Sequence, residues 1–122
     1  VLNSFTGVQA RARDTERRTD INAVSTQLEV YYNDNGGYPT LAELQDDAAG
    51  GFIETNLKGM DKEAIKDPKG FKIGTAGSSY TYTPLPASCT GATGATPCTS
   101  FTLNGDLEKS TPDPYVKKSL NN

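Results

Sequence analysis

Apolar positions recur at a helical period in one stretch of the first third of the chain. Ile21, Val24, Leu28 and Tyr31 follow at steps of three, four and three, which puts them on one face of a helix. Before Ile21 the stripe stops, and ARARDTERRTD supplies Arg11, Arg13, Asp14, Glu16, Arg17, Arg18 and Asp20. The pattern predicts a single long helix from about Thr6 to Asn33, with Val1 as its earliest start. Only its second half has apolar side chains to pack on a core made by the same chain. Residues 1–20 are therefore expected to protrude as a polar half, and residues 21–122 to form one globular head. Ion pairs such as Asp14 with Arg18 and Arg13 with Glu16 support the exposed half by about a few tenths of a kcal/mol each. On this reading, Arg17→Ala leaves the melting temperature of the head nearly unchanged. Asn35, Gly36 and Gly37 supply the left-handed stop that ends a helix, with Pro39 just beyond.

Thr40 followed three residues later by Glu43 is a capping box, predicting a short helix over 41–47. Phe52, Ile53 and Leu57 form an apolar patch, and a brief helix or turn is expected over 61–65 before the turn at Asp67-Pro68-Lys69-Gly70. Period-two alternation then predicts three strands, at 70–73, 79–83 and 99–103. Their order along the chain suggests an antiparallel meander. Three strands need a partner for their inner face. Phe71, Ile73, Tyr80, Tyr82, Phe101 and Leu103 are expected to pack against Ile21, Val24, Leu28 and Tyr31. The fold class that follows is α+β, a long amino-terminal helix laid across a small antiparallel sheet of about three strands. Pro112, Asp113 and Pro114 break further regular structure; Tyr115 and Val116 are expected to tuck against the domain, and residues 117–122 to be mobile.

The run ARDTERRTDINAVSTQLEVYYNDNGGYPT resembles the type IV pilins and the type II secretion pseudopilins, closely over about residues 2–44 and loosely beyond. The phrase LNGDLE is also common near the end of pilins. In that family a small head hangs from one long amino-terminal helix, and the resemblance implies a pilin-like roll. Pilins begin with an apolar stretch after a prepilin-peptidase site, and this chain shows neither. Val1, Leu2 and Phe5 look like the last turns of that stretch, so the resemblance implies a soluble form cut inside the helix. It further implies a major pilin, an extracellular structural subunit. Its partners would be other copies in a helical filament, the pilus assembly machinery, and the membrane through the missing apolar helix. The filament would serve adhesion, twitching motility or DNA uptake. The alternatives are a pseudopilin acting as a short piston and a minor tip pilin acting as an adhesin.

Composition narrows the chemistry. The chain has 122 residues, enough for one domain with a modest core, and its hydrophobic content of 34% is low for a compact domain. A formal net charge of −3 gives no global field for nucleic acid or an anionic membrane. The chain lacks His, which removes the commonest general base and metal ligand and argues against an enzyme. The two cysteines, Cys89 and Cys98, are spaced too widely for a redox Cys-x-x-Cys pair and lack the further ligands of a zinc site. A disulfide closing a short loop is the favoured reading, and it implies an oxidising compartment. The alternative is two free buried thiols, for which this Gly- and Thr-rich loop offers little apolar cover.

The remaining candidates each have a plainer counterpart. Arg11, Arg13, Arg17 and Arg18 could bind phosphate, but Asp14, Glu16 and Asp20 nearly cancel them and no aromatic platform is interleaved. These charges are better read as a solvated face or as contacts to neighbouring subunits, with Arg11, Arg13, Asp14, Arg17 and Arg18 as the candidates. Asn33, Asp34 and Asn35 fit a helix stop better than a calcium loop. Major pseudopilins bind calcium near the place of Asp67, but the accompanying pattern is missing here. No cofactor is expected, and no specific nucleic acid. Ser78, Ser79 and Ser88 have no base suited to a Ser nucleophile.

Overall fold

A computed structural model describes the backbone of residues 2–121 and the side chains of residues 5–121. The expectations placed on Val1 and on the Leu2 side chain lie outside the described residues. Helix α1 runs Leu2–Asn35, 34 residues and therefore about 51 Å at 1.5 Å per residue. Gly36, at φ 80°, supplies the left-handed residue that ends it, and its N–H returns to the Tyr32 carbonyl at 2.7 Å. Next comes α2, Leu41–Leu44, under a complete capping box in which the Thr40 hydroxyl accepts from Glu43 N–H and the Glu43 carboxylate from Thr40 N–H. The following elements are α3, Phe52–Asn56, and a 3-10 turn, Lys62–Ile65, capped by Asp61.

Three strands complete the chain: β1 Tyr80–Leu85, β2 Ser100–Gly105 and β3 Tyr115–Lys118. They form one antiparallel meander in the order β1-β2-β3, with Tyr82 opposite Leu103 and Leu103 opposite Lys117. The class is α+β, with a long helix and a three-stranded antiparallel sheet. The strand expected at 70–73 is not part of that sheet. Asp67 explains why: its carboxylate accepts the backbone N–H groups of Lys69, Phe71 and Ser79, which folds the segment into a turn and removes donors a ladder would need. Only an isolated bridge between Lys66 and Lys72 remains. The tail expected to be mobile instead contributes the third strand, and Ser119 N–H bonds the Phe101 carbonyl at 3.0 Å.

Ile21, Val24, Leu28 and Tyr31 are all buried, against Ile73, Tyr80, Tyr82, Phe101 and Leu103. Each full-sized aliphatic side chain here contributes about 1.5–3 kcal/mol by leaving water. Phe71, expected in this core, is 45% exposed; it sits on the Asp67 turn and faces Gly77. Tyr38 takes the central place that Phe71 lacks, edge-on to Phe101 at 4.9 Å and fully buried.

Candidate functional site

The polar half of α1 is not free of the head. Ala10, Asp14 and Arg17 are buried, and they continue the Ile21, Val24, Leu28, Tyr31 series at alternating steps of four and three. Asp14 is 0% exposed. Its carboxylate accepts the backbone N–H groups of Glu108, Lys109 and Ser110 at 2.8, 2.8 and 2.9 Å. Arg17 adds a fourth donor at 3.1 Å. Burial pushes the Asp14 carboxyl up, but the three backbone donors and the guanidinium outweigh it and hold the acid well below the usual carboxylate range.

Arg17, 3% exposed, also donates to Glu108 at 2.6 Å and to the Ser79 hydroxyl at 3.1 Å. Burial works against its charge, and the hydrogen bonds and charges of Glu108 and Asp14 together outweigh it and keep the guanidinium protonated. Arg13 grips Glu108 with two bonds, 2.6 and 2.7 Å, the planar fork matching the carboxylate. Arg13 first and Arg17 second lower the Glu108 carboxyl to about 2. The Ser79 hydroxyl in turn donates a hydrogen bond to Asp67 at 3.1 Å, so the network reaches the Asp67 turn. Arg18 donates to the Thr111 carbonyl at 3.0 Å and lies 5.9 Å from the centre of the Tyr115 ring. Of the five subunit-contact candidates, Arg11 alone has an exposed side chain. Asp14 and Arg17 are corrected to internal residues, and the protruding segment shortens to the part of α1 before Ala10, where Phe5 and Val8 are exposed.

One turn further along, Tyr80 donates its phenolic proton to Asp20 at 2.6 Å. Burial raises the Asp20 carboxyl to about 6; the Tyr80 bond opposes this, and Glu16 and Asp61 nearby add to it. Asp14 and Asp20 thus depart from ordinary behaviour in opposite directions on the same helix.

Cys89 and Cys98 are joined in a disulfide. The loop it closes is anchored to the head: Tyr38 N–H bonds the Cys98 carbonyl at 2.9 Å, and Cys98 N–H bonds the Gly91 carbonyl at 2.8 Å. Gly37 lets the helix stop meet this loop, because a Cβ there would lie 2.7 Å from the Ala92 Cα. Both oxygens of Asp67 are taken by protein donors. Among the described residues no group of three or more acidic or Cys side chains could hold a metal ion, and no helix is long and apolar enough to cross a membrane. No family model, curated protein or solved structure matches this chain.

Sequence reasoning missed Glu108 and its loop. Arg13 and Glu108 stand 95 positions apart, and no local pattern ties them. The phase of the helix was the available signal. Extending the buried steps back from Ile21 lands on Arg17, Asp14 and Ala10, and charged residues at core phase mark a buried polar contact.

Proposed function

We propose that this chain is the head of a type IV pilin-like filament subunit, a major pilin. The observation that carries the reading is the junction run from Ala12 to Pro39, where the charged helix segment, the Leu-Glu-x-Tyr-Tyr end and the Asn-Gly-Gly stop follow one another. Two features support it. The long helix lies across an antiparallel sheet, as a pilin-like roll would require, and a disulfide closes a Gly- and Thr-rich surface loop. The exposed Phe5 and Val8, three apart on the start of α1, suit a helix that continues into an apolar filament core.

The work is mechanical. An apolar helix ahead of this segment holds the subunit in the membrane before assembly and in the filament core afterwards. The assembly machinery transfers it, and repeated heterologous contacts between copies give an open helical fibre on the cell surface. Because the head grips α1 as far back as Ala10, a pull along the helix reaches the sheet through Asp14 and Arg17 as well as through the apolar core. Immunogold electron microscopy of the source cells tests the reading. Gold spaced along surface filaments is expected. Label at filament ends alone, or confined to the envelope, overturns the assignment as a major pilin.

A further inference from the structure

Two opposite margins of the sheet carry an excess of opposite charge, although Lys117 on one of them also lies 5.8 Å from the centre of the Tyr115 ring. At one margin β3 has no strand partner on its outer side among the described residues, and its Lys117 and Lys118 make no ion pair there. The two lysines border an open groove of about 430 Å³ against α1, together with the exposed apolar residues Val30 and Leu120 and with Glu29. The Glu29 carboxylate accepts from the Tyr38 hydroxyl and the Leu120 N–H, so the groove keeps a net excess of one positive charge. At the other margin, beyond β1, the stretch 41–56 holds Glu43, Asp46, Asp47 and Glu54 with no Lys or Arg. Asp47 and Glu54 are neutralised by Lys72, Lys66 and Lys62. Glu43 and Asp46 are not. Their carboxylates accept only backbone N–H groups, and they line an open concavity of about 470 Å³ with Gly51, Phe52 and Thr55.

We propose that the β3 margin of one copy docks into the Glu43–Asp46 concavity of a second copy. The concavity offers two carboxylates beside an aromatic ring, the chemistry that takes an ammonium group. The lysines meet it from an open strand edge, flanked by Leu120 and Val30 for apolar contact. A single molecule cannot make this contact with itself, because the width of the sheet separates the two margins. Nor is it self-complementary, so copies add head to tail, and each new copy leaves both surfaces open. Lys residues on a bare edge also discourage direct strand-to-strand pairing between like edges, which leaves the acidic partner favoured. The proposal deepens the filament reading and rests on it for its biological setting, but its test does not.

The test uses purified protein and two variants whose changes lie outside the buried core, each checked for an unchanged thermal transition. Lys117→Glu/Lys118→Glu removes the basic margin. Glu43→Gln/Asp46→Asn removes the acidic charge while keeping an amide oxygen for Thr40 N–H and another for Phe52 N–H, at the cost of the longer 3.4 Å bond from Ala48 N–H. Analytical ultracentrifugation is expected to show concentration-dependent self-association of the unmodified chain, weakened about tenfold in either variant and several-fold by about 0.5 M salt. Mixed together, the two variants each retain the surface the other lacks, and they are expected to form a 1:1 dimer that grows no further. An unmodified chain that stays monomeric at millimolar concentration, or variants that self-associate as it does, overturns the proposal. So does a mixture that stays monomeric or that grows past the dimer. Filaments labelled by the immunogold experiment alongside any of these results leave the functional reading standing and the docking surface rejected.

Discussion

The two halves of α1 use the same face of the same helix and are held by different physics. From Ile21 to Tyr31 the face is apolar, buried in a continuous core, and needs no particular partner atom. From Ala10 to Arg17 the face is charged, and every buried oxygen of Asp14 has a donor directed at it. The apolar half tolerates rearrangement within limits set by volume. The charged half depends on each member being present, because a removed partner strands a buried charge. Helical phase is what the halves share, and phase continues where hydrophobicity does not.

Breaking the apolar half gives the largest effect. Leu28→Asp would bury an unpaired carboxylate at a fully enclosed position, and the expected outcome is loss of the cooperative thermal transition. Circular dichroism melting checks it. In the charged half, Asp14→Ala leaves three backbone donors and the Arg17 guanidinium short of an acceptor. A loss of about 3 kcal/mol is expected, read from denaturant unfolding. Arg17→Ala is expected to lose less, about 2 kcal/mol, since Asp14 keeps its backbone donors and Glu108 keeps Arg13. That replaces the sequence-based expectation of an unchanged melting temperature; the side chain is buried rather than solvated.

The titration of the two helix acids sharpens the contrast with smaller effects of opposite sign. Glu108 and Asp14 are lowered in the folded state, so their stabilisation is full above the unfolded value. For Glu108 it is lost as pH falls from 4.5 towards about 2, and for Asp14 the loss continues at lower pH. Asp20 is raised, so the folded state binds its proton more tightly and stability falls as pH rises from 3.8 through about 6. Asp20→Asn is expected to abolish that fall and to raise the melting temperature at pH 7. Melting curves collected from pH 3 to 8 on both proteins check the sign.

Much of the fold was legible because its signals are local. The capping box at Thr40, the stop at Gly36, the alternation around Tyr80 and Phe101, and the Ile21 to Tyr31 face all depend on residues within a few positions of one another. The losses came where distant groups decide. Phe71 alternates like a strand residue, yet the Asp67 carboxylate claims the backbone around it, Phe71 N–H included. The β3 strand is only four residues long, and its register depends on β2 rather than on its own pattern. Asp14 and Arg17 looked solvated because charge ordinarily is, and the loop that buries them lies more than 90 positions away.

Native-state hydrogen exchange along α1 tests the central claim most directly, namely that the charged half is a packed part of the head. The expected result is protection of the amides from about residue 14 to residue 35 as one unit, with fast exchange confined to the segment before Ala10. In Asp14→Ala the protection should retreat to Ile21 and beyond while the apolar half stays slow. Fast exchange up to residue 20 in the unaltered chain would contradict the account and return the polar half of the helix to solvent.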